Sequence, residues 1–179
     1  MCYPCFMLKI AFALALLPLN AAAQSCVVDF TIRVTQGVGP ITPGQEISGQ
    51  ADYTPNGRSF RQEGGSTAHF ASGEMRLGDT IRGPIWTLVT TSRGHAADLV
   101  AIYARQVEGF DFAGQSYRGP MVISLFGVPG ARPDTAPPTT QEEWDRMDVR
   151  RAFALHSDGM DMLAGTITQL TATCSRARN

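Results

Sequence analysis

Lysine is almost missing from this chain: Lys9 is the only one in 179 residues. Charged residues of every kind reach only 17%, and the formal net charge is -1. So small and even a balance excludes an electrostatically driven nucleic-acid binder, and no basic stretch interleaved with aromatics is present to grip a single strand. With 18 Gly and 11 Pro, no helical period persists long enough for a coiled coil. The apolar run Ile10 to Leu17 is far short of the roughly 20 residues that span a bilayer.

Groups suited to catalysis are equally scarce. There is no Gly-x-Ser-x-Gly or Ser-x-x-Lys nucleophile motif and no phosphate-cradling glycine pattern. His69, His95 and His156 form no His-x-His or His-x-x-x-His pair, so no zinc site is legible. The best hydrolytic fragment is His95 with Asp98, beside a turn. The best metal-like fragment is His156-Ser157-Asp158-Gly159-Met160-Asp161, whose two carboxylates are too few for an EF-hand loop. Both read as turns, and neither a metal nor a cofactor is expected.

What is present begins with an address. Lys9, the apolar run after it, the break at Pro18 and the small residues Ala21-Ala22-Ala23 make residues 1–24 a Sec-type signal peptide. Residues 25–179 then form a single domain, periplasmic or secreted. Gln24 stands where a lipoprotein would need a small residue before its cysteine. Removing the signal removes Cys2, Cys5 and Lys9, and leaves 14 Arg against 16 Asp plus Glu, a net charge of -2. Every fixed positive side chain of the mature domain is thus a guanidinium, a group suited to planar anions. Cys26 and Cys174 remain at its extreme ends and are expected to pair in an oxidising compartment. The chain-entropy model gives such a bond at most about 5 kcal/mol. Its geometry requires Cα atoms within about 7 Å, so the first and last elements must be neighbours.

Strand signals fill the rest. Val28, Phe30, Ile32 and Val34 alternate with Asp29, Thr31, Arg33 and Thr35, the pattern of a half-buried strand. Glu46 to Tyr53 resumes it, Thr54-Pro55-Asn56-Gly57 predicts a turn, and Arg58 to Gly65 a polar loop. Thr67 to Leu77 and Thr80 to Ser92 predict a hairpin about Gly78-Asp79, a pair suited to a type II′ turn. Ala96 to Val107 fits both periods, and its place between turns favours a strand. Phe110 to Phe112 and Tyr117 to Phe126 form a further hairpin around Gly114-Gln115. Four prolines between Gly127 and Thr140 mark a surface excursion. Thr140-Gln141-Glu142-Glu143 then opens a short helix near residues 141–148, with Trp144 and Met147 on one side. Val149 to Ser157 and Leu163 to Cys174 end the domain as a hairpin through Asp158-Gly159. The sum is all-β: an antiparallel β-barrel or β-sandwich of about eight strands with the first and last adjacent.

Residues 73–85 recur at 109–121, with Gly73/Gly109, Gly78/Gly114 and Arg82-Gly83-Pro84/Arg118-Gly119-Pro120 identical. Each copy reads as a strand, a Gly-first turn and a second strand interrupted by Gly-Pro, hence a bulge or an edge. In functional terms Arg82 and Arg118 would line a shared rim. Trp86, Tyr103, Tyr117, Phe110 and Phe112 read as core or barrel-lining residues. In a hollow barrel, Trp86, Tyr103 and Tyr117 would line a ligand site with Arg82 and Arg118 at its mouth. The first strand lacks the Gly-x-Trp signature of lipocalins.

These features describe an exported, disulfide-stapled β domain that acts as a non-catalytic binding or cell-envelope accessory module. Its partner would be a small ligand or an envelope or secreted protein, without nucleic acid and without stable membrane insertion. Two rivals stand beside that reading. One is a small secreted hydrolase using His95 or His156 with a nearby carboxylate, the other a protein inhibitor docking through the 127–140 loop.

Overall fold

A computed structural model describes residues 24–92 and 96–176. His95 and nearly all of the expected signal peptide lie outside the described residues. In chain order the elements are β1 (Gln24–Gln36), β2 (Glu46–Arg61), β3 (Thr67–Leu77), β4 (Ile81–Thr91), β5 (Asp98–Ala104), β6 (Asp111–Phe112), β7 (Gln115–Ser116), β8 (Met121–Gly127), α1 (Gln141–Asp145), β9 (Arg150–His156) and β10 (Met162–Arg176). Eight of the strands close a barrel in the order β1-β10-β9-β8-β5-β4-β3-β2, with antiparallel pairing throughout, while β6 and β7 form a small separate hairpin. Closure leaves no open sheet edge among these eight strands. It also sets Cys26 opposite Cys174, with Cα atoms 4.1 Å apart and the sulfurs bonded.

Alternation along the strands decides which side chains point inward. On β1 these are Val28, Phe30, Ile32 and Val34, as their spacing requires, and Phe30 stacks near Phe153 of β9, two strands away, ring centroids 6.1 Å apart. Met75, Leu77, Leu88, Ile102, Met121, Ile123, Leu125, Phe153, Leu155 and Leu163 fill the remainder, all buried. The interior is therefore a packed apolar core, as small barrels demand.

Both ends are covered. At one, residues 128–140 and α1 lie across the strand ends. Arg132 N–H donates to Asp98 Oδ2 (2.7 Å), and the Thr135 carbonyl accepts from Thr90 Oγ1 (2.5 Å) and His69 Nε2 (2.6 Å). Thr140 caps α1: its hydroxyl accepts from the Glu143 N–H while the Glu143 carboxylate accepts from the Thr140 N–H, a reciprocal capping box. That cap orients the one turn of helix that plunges Trp144 into the core, with Met147 following just beyond its end, both fully buried. At the other end sits the β6–β7 hairpin, with Phe110 packed on Tyr117 (centroids 5.0 Å apart) and Phe112 against the backbone of Gly39.

The two copies of the internal repeat bond to two sides of one segment. Arg82 exchanges backbone hydrogen bonds with Glu108, and the Arg118 carbonyl accepts from the Val107 N–H. A Cβ at Gly83 or Gly119 would lie 2.9 or 3.1 Å from Val107 Cγ2, and Gly119 also has a positive φ of 99°.

Three turn expectations are corrected. Thr54-Pro55-Asn56-Gly57 does not end the strand: Pro55 pairs with Ala71 and Ser59 with His69, so the excess residues form a bulge within a long β2. Arg58 to Gly65 is accordingly part strand, with a turn closed by the Gln62 N–H on the Ser66 carbonyl. Leu77 pairs with Ile81 and His156 with Met162, giving loops of three and five residues in place of tight two-residue turns at Gly78-Asp79 and Asp158-Gly159.

Candidate functional site

The bulges matter because they aim side chains. Against β5, Ile85 pairs with Ala104 and Thr87 with Tyr103, which leaves Trp86 as an extra residue in β4. Ile85 stays inside, and Trp86 and Thr87 both face outward, the side-chain redirection a bulge produces. In β2 the resumption of pairing at Ser59 puts Phe60 opposite Ala68, on the outside, with Phe70 two residues further along β3. Tyr103 follows from simple alternation, since Val100, Ile102 and Ala104 point in.

The result is a groove on the outer wall across β2, β3, β4 and β5, about 440 Å³ in volume. It is lined by Phe60, Gln62, Ala68, Phe70, Trp86, Thr87, Val89 and Tyr103. Phe60 is 62% exposed, Trp86 37% and Phe70 36%, so three large rings stand in solvent side by side. An outer wall has no packing need for that arrangement, and contiguous exposed aromatics mark binding surfaces. The Arg58 guanidinium sits 5.7 Å from the centroid of Phe70, and that of Arg105 sits 4.9 Å from Trp86, both within cation–π range. Among the described residues, no acid lines the groove.

The residues expected to share one ligand site are not brought together. Trp86 and Tyr103 lie outside the barrel in this groove, whereas Tyr117 is buried beneath the β6–β7 hairpin. Arg82 lies in a polar pocket with Glu74, Gln106 and Glu108, and Arg118 is exposed beside Asp158 at 3.9 Å. Neither arginine stands at an opening into the packed interior among the described residues. Phe60 and Phe70 were missed. Their signal is a phase inversion: from Thr67 to Ala71 the polar residues Thr67 and His69 take the inward positions, and Phe70 the outward one.

Compared with protein-family models, curated proteins and solved structures, the chain matches none.

The other chemistry-bearing residues serve the lid. Asp98 is fully buried and accepts from the Arg132 backbone. Burial pulls the Arg132 guanidinium below its usual pKa, against the opposing charges of Glu143, Asp134 and Asp98. Tyr53 Oη, Asp98 Oδ1, Arg132 Nε and Nη1, and Trp144 Nε1 have no partner within the described chain. Burial and the Arg132 charge lower the pKa of His69, outweighing the bond its Nε2–H donates to Thr135. His156 is engaged through its backbone with Gly119 and Pro120, and no described hydrogen bond joins its ring to a carboxylate. Among the described residues, no three His, Cys, Asp or Glu side chains are placed to hold a metal ion. The 127–140 loop is pinned down by Asp98, His69 and Thr90.

Proposed function

We propose that the protein is an exported, non-catalytic binding module that takes a small apolar ligand on the outside of its barrel, in the groove of Phe60, Phe70, Trp86 and Tyr103. The observation that carries this reading is the convergence of four aromatic side chains from four adjacent strands, three of them substantially exposed, on one ligand-sized depression. Export is supported by the signal-like residues 1–24 and by the Cys26–Cys174 disulfide, a bond typical of oxidising compartments. No helix among the described residues is long and apolar enough to cross a membrane. The barrel itself is apolar within and carries Asp29, Arg33, Glu46, Asp52 and Arg76 on its outer wall, the reverse of a membrane-spanning barrel.

The test is a fluorescence titration with N-phenyl-1-naphthylamine, a neutral apolar probe. The wild type should bind it saturably, and Trp86→Ala together with Phe60→Ala should weaken binding by about tenfold or more. Binding unchanged by both substitutions would place the ligand elsewhere and end this reading.

A further inference from the structure

Resting on that reading, we infer that the groove's occupant is a small amphiphilic anion: an aromatic or short alkyl body carrying one carboxylate, sulfonate or phosphate. Size suits a small molecule, because about 440 Å³ lies within the range of single ligand sites. Charge selects an anion. Arg58 and Arg105 bracket the groove from the β2 side and from the end of β5, and neither has an ion pair among the described residues. The four described ion pairs occupy other arginines, Arg33, Arg76, Arg118 and Arg146, so these two are the guanidiniums the wall leaves free at the rings.

Geometry links the two requirements. A guanidinium laid over a ring satisfies its face and leaves its in-plane N–H edges pointing outward, the fork that matches planar anions. An apolar body lying on Trp86, Tyr103, Phe70 and Phe60 would run across three inter-strand spacings of about 4.8 Å, roughly 14 Å in all. Its charged end would then meet Arg105 or Arg58 at the groove's margin. The absence of acid from the lining removes the repulsion that would otherwise oppose that placement.

Two probes with one skeleton decide the matter: 1-anilinonaphthalene-8-sulfonate and the neutral N-phenyl-1-naphthylamine. The full chain after export processing, with its disulfide intact, should bind the sulfonate about tenfold more tightly than the neutral probe. The preference should shrink as salt rises. Arg105→Gln combined with Arg58→Gln should remove most of it, weakening the sulfonate several-fold more than the neutral probe. Trp86→Leu, which retains apolar bulk, should weaken both probes.

Equal binding of the two probes, lost with Trp86→Leu but indifferent to the combined Arg→Gln changes, would overturn the anion inference and leave the groove reading standing. Indifference of both probes to Trp86→Leu would overturn both. A concentration-dependent dimer dissolved by Phe60→Asp in sedimentation, or binding to anionic phospholipid vesicles abolished by Trp86→Leu, would assign the surface to a second copy or to a membrane and overturn the small-molecule assignment.

Discussion

The Arg105 guanidinium stacks over the Trp86 ring, 4.9 Å from its centroid, on the outside of a barrel whose inside is filled. Trp86 and Trp144 are the two tryptophans of the chain, and they occupy opposite environments, one 37% exposed and the other fully buried.

That contrast predicts opposite stability effects. Trp86→Ala removes a surface cation–π contact and should cost about 1 kcal/mol or less. Trp144→Ala empties part of the core beneath the lid and should cost about 3–5 kcal/mol. Urea unfolding of both variants checks this, and comparable losses would contradict the placement of the two rings.

Cys26 and Cys174 staple the first and last strands, 148 residues apart in sequence, across a ladder that runs from Gln24 to Gln36. Reducing the bond, or replacing both cysteines by serine, should lower stability by about 2–5 kcal/mol. The far-UV spectrum should remain that of a β protein below the new transition, because the ladder's hydrogen bonds remain. An unfolding midpoint unmoved by reductant would contradict the strap.

Acid should loosen the lid in two steps. Burial and Arg132 set the folded pKa of His69 below its ordinary 6.5. Glu143 is raised by burial, but the N–H groups of Thr139 and Thr140, the Thr139 hydroxyl and Arg132 overcome that and hold it below its ordinary 4.5. Both groups bind fewer protons when folded, so their stabilising effect is complete above the unfolded pKa and is lost as pH falls through the folded one. The histidine component is therefore lost from about pH 6.5 downward, and the glutamate component from about pH 4.5 downward. Thermal midpoints measured from about pH 8 to about pH 2 should show both declines. His69→Gln should flatten the upper one, and a wild-type midpoint rising on acidification to pH 5 would contradict the assignment.

The internal repeat makes a prediction that separates its copies. Gly83→Ala fails because its Cβ would press on Val107 Cγ2 at 2.9 Å, so Val107→Ala should relieve part of the loss. Gly119 has φ of +99°, a conformation unfavourable to alanine whatever the space, so Val107→Ala should not rescue Gly119→Ala. Denaturation cycles with both pairs measure the coupling, and equal coupling would contradict the assignment of a steric cause to Gly83 and a backbone cause to Gly119.

Legibility from the sequence followed the range of the interactions concerned. The period-two pattern of β1, the capping box at Thr140 and Glu143, and the pairing of the two terminal cysteines depend on neighbours or on simple chemistry, and each is present. Thr54-Pro55-Asn56-Gly57 has the residues of a turn, yet the structure uses them to bulge β2. Which outcome wins depends on whether β3 is there to pair again at His69, and that is a long-range fact. The same bulge turned an apparent polar loop into the strand that presents Phe60. Trp86 was expected to line the barrel's interior and lies on its outer wall. Its outward aim comes from one unpaired position in β4, which no local pattern around Ile85-Trp86-Thr87 reveals.

The most direct test of the outer-wall site uses the two indole N–H resonances of Trp86 and Trp144 in a ¹H–¹⁵N spectrum during titration with 1-anilinonaphthalene-8-sulfonate. The Trp86 resonance should move progressively to saturation while that of Trp144, sealed in the core, stays in place. Movement of Trp144 with Trp86 unchanged would mean that the ligand enters the barrel, and would contradict the account.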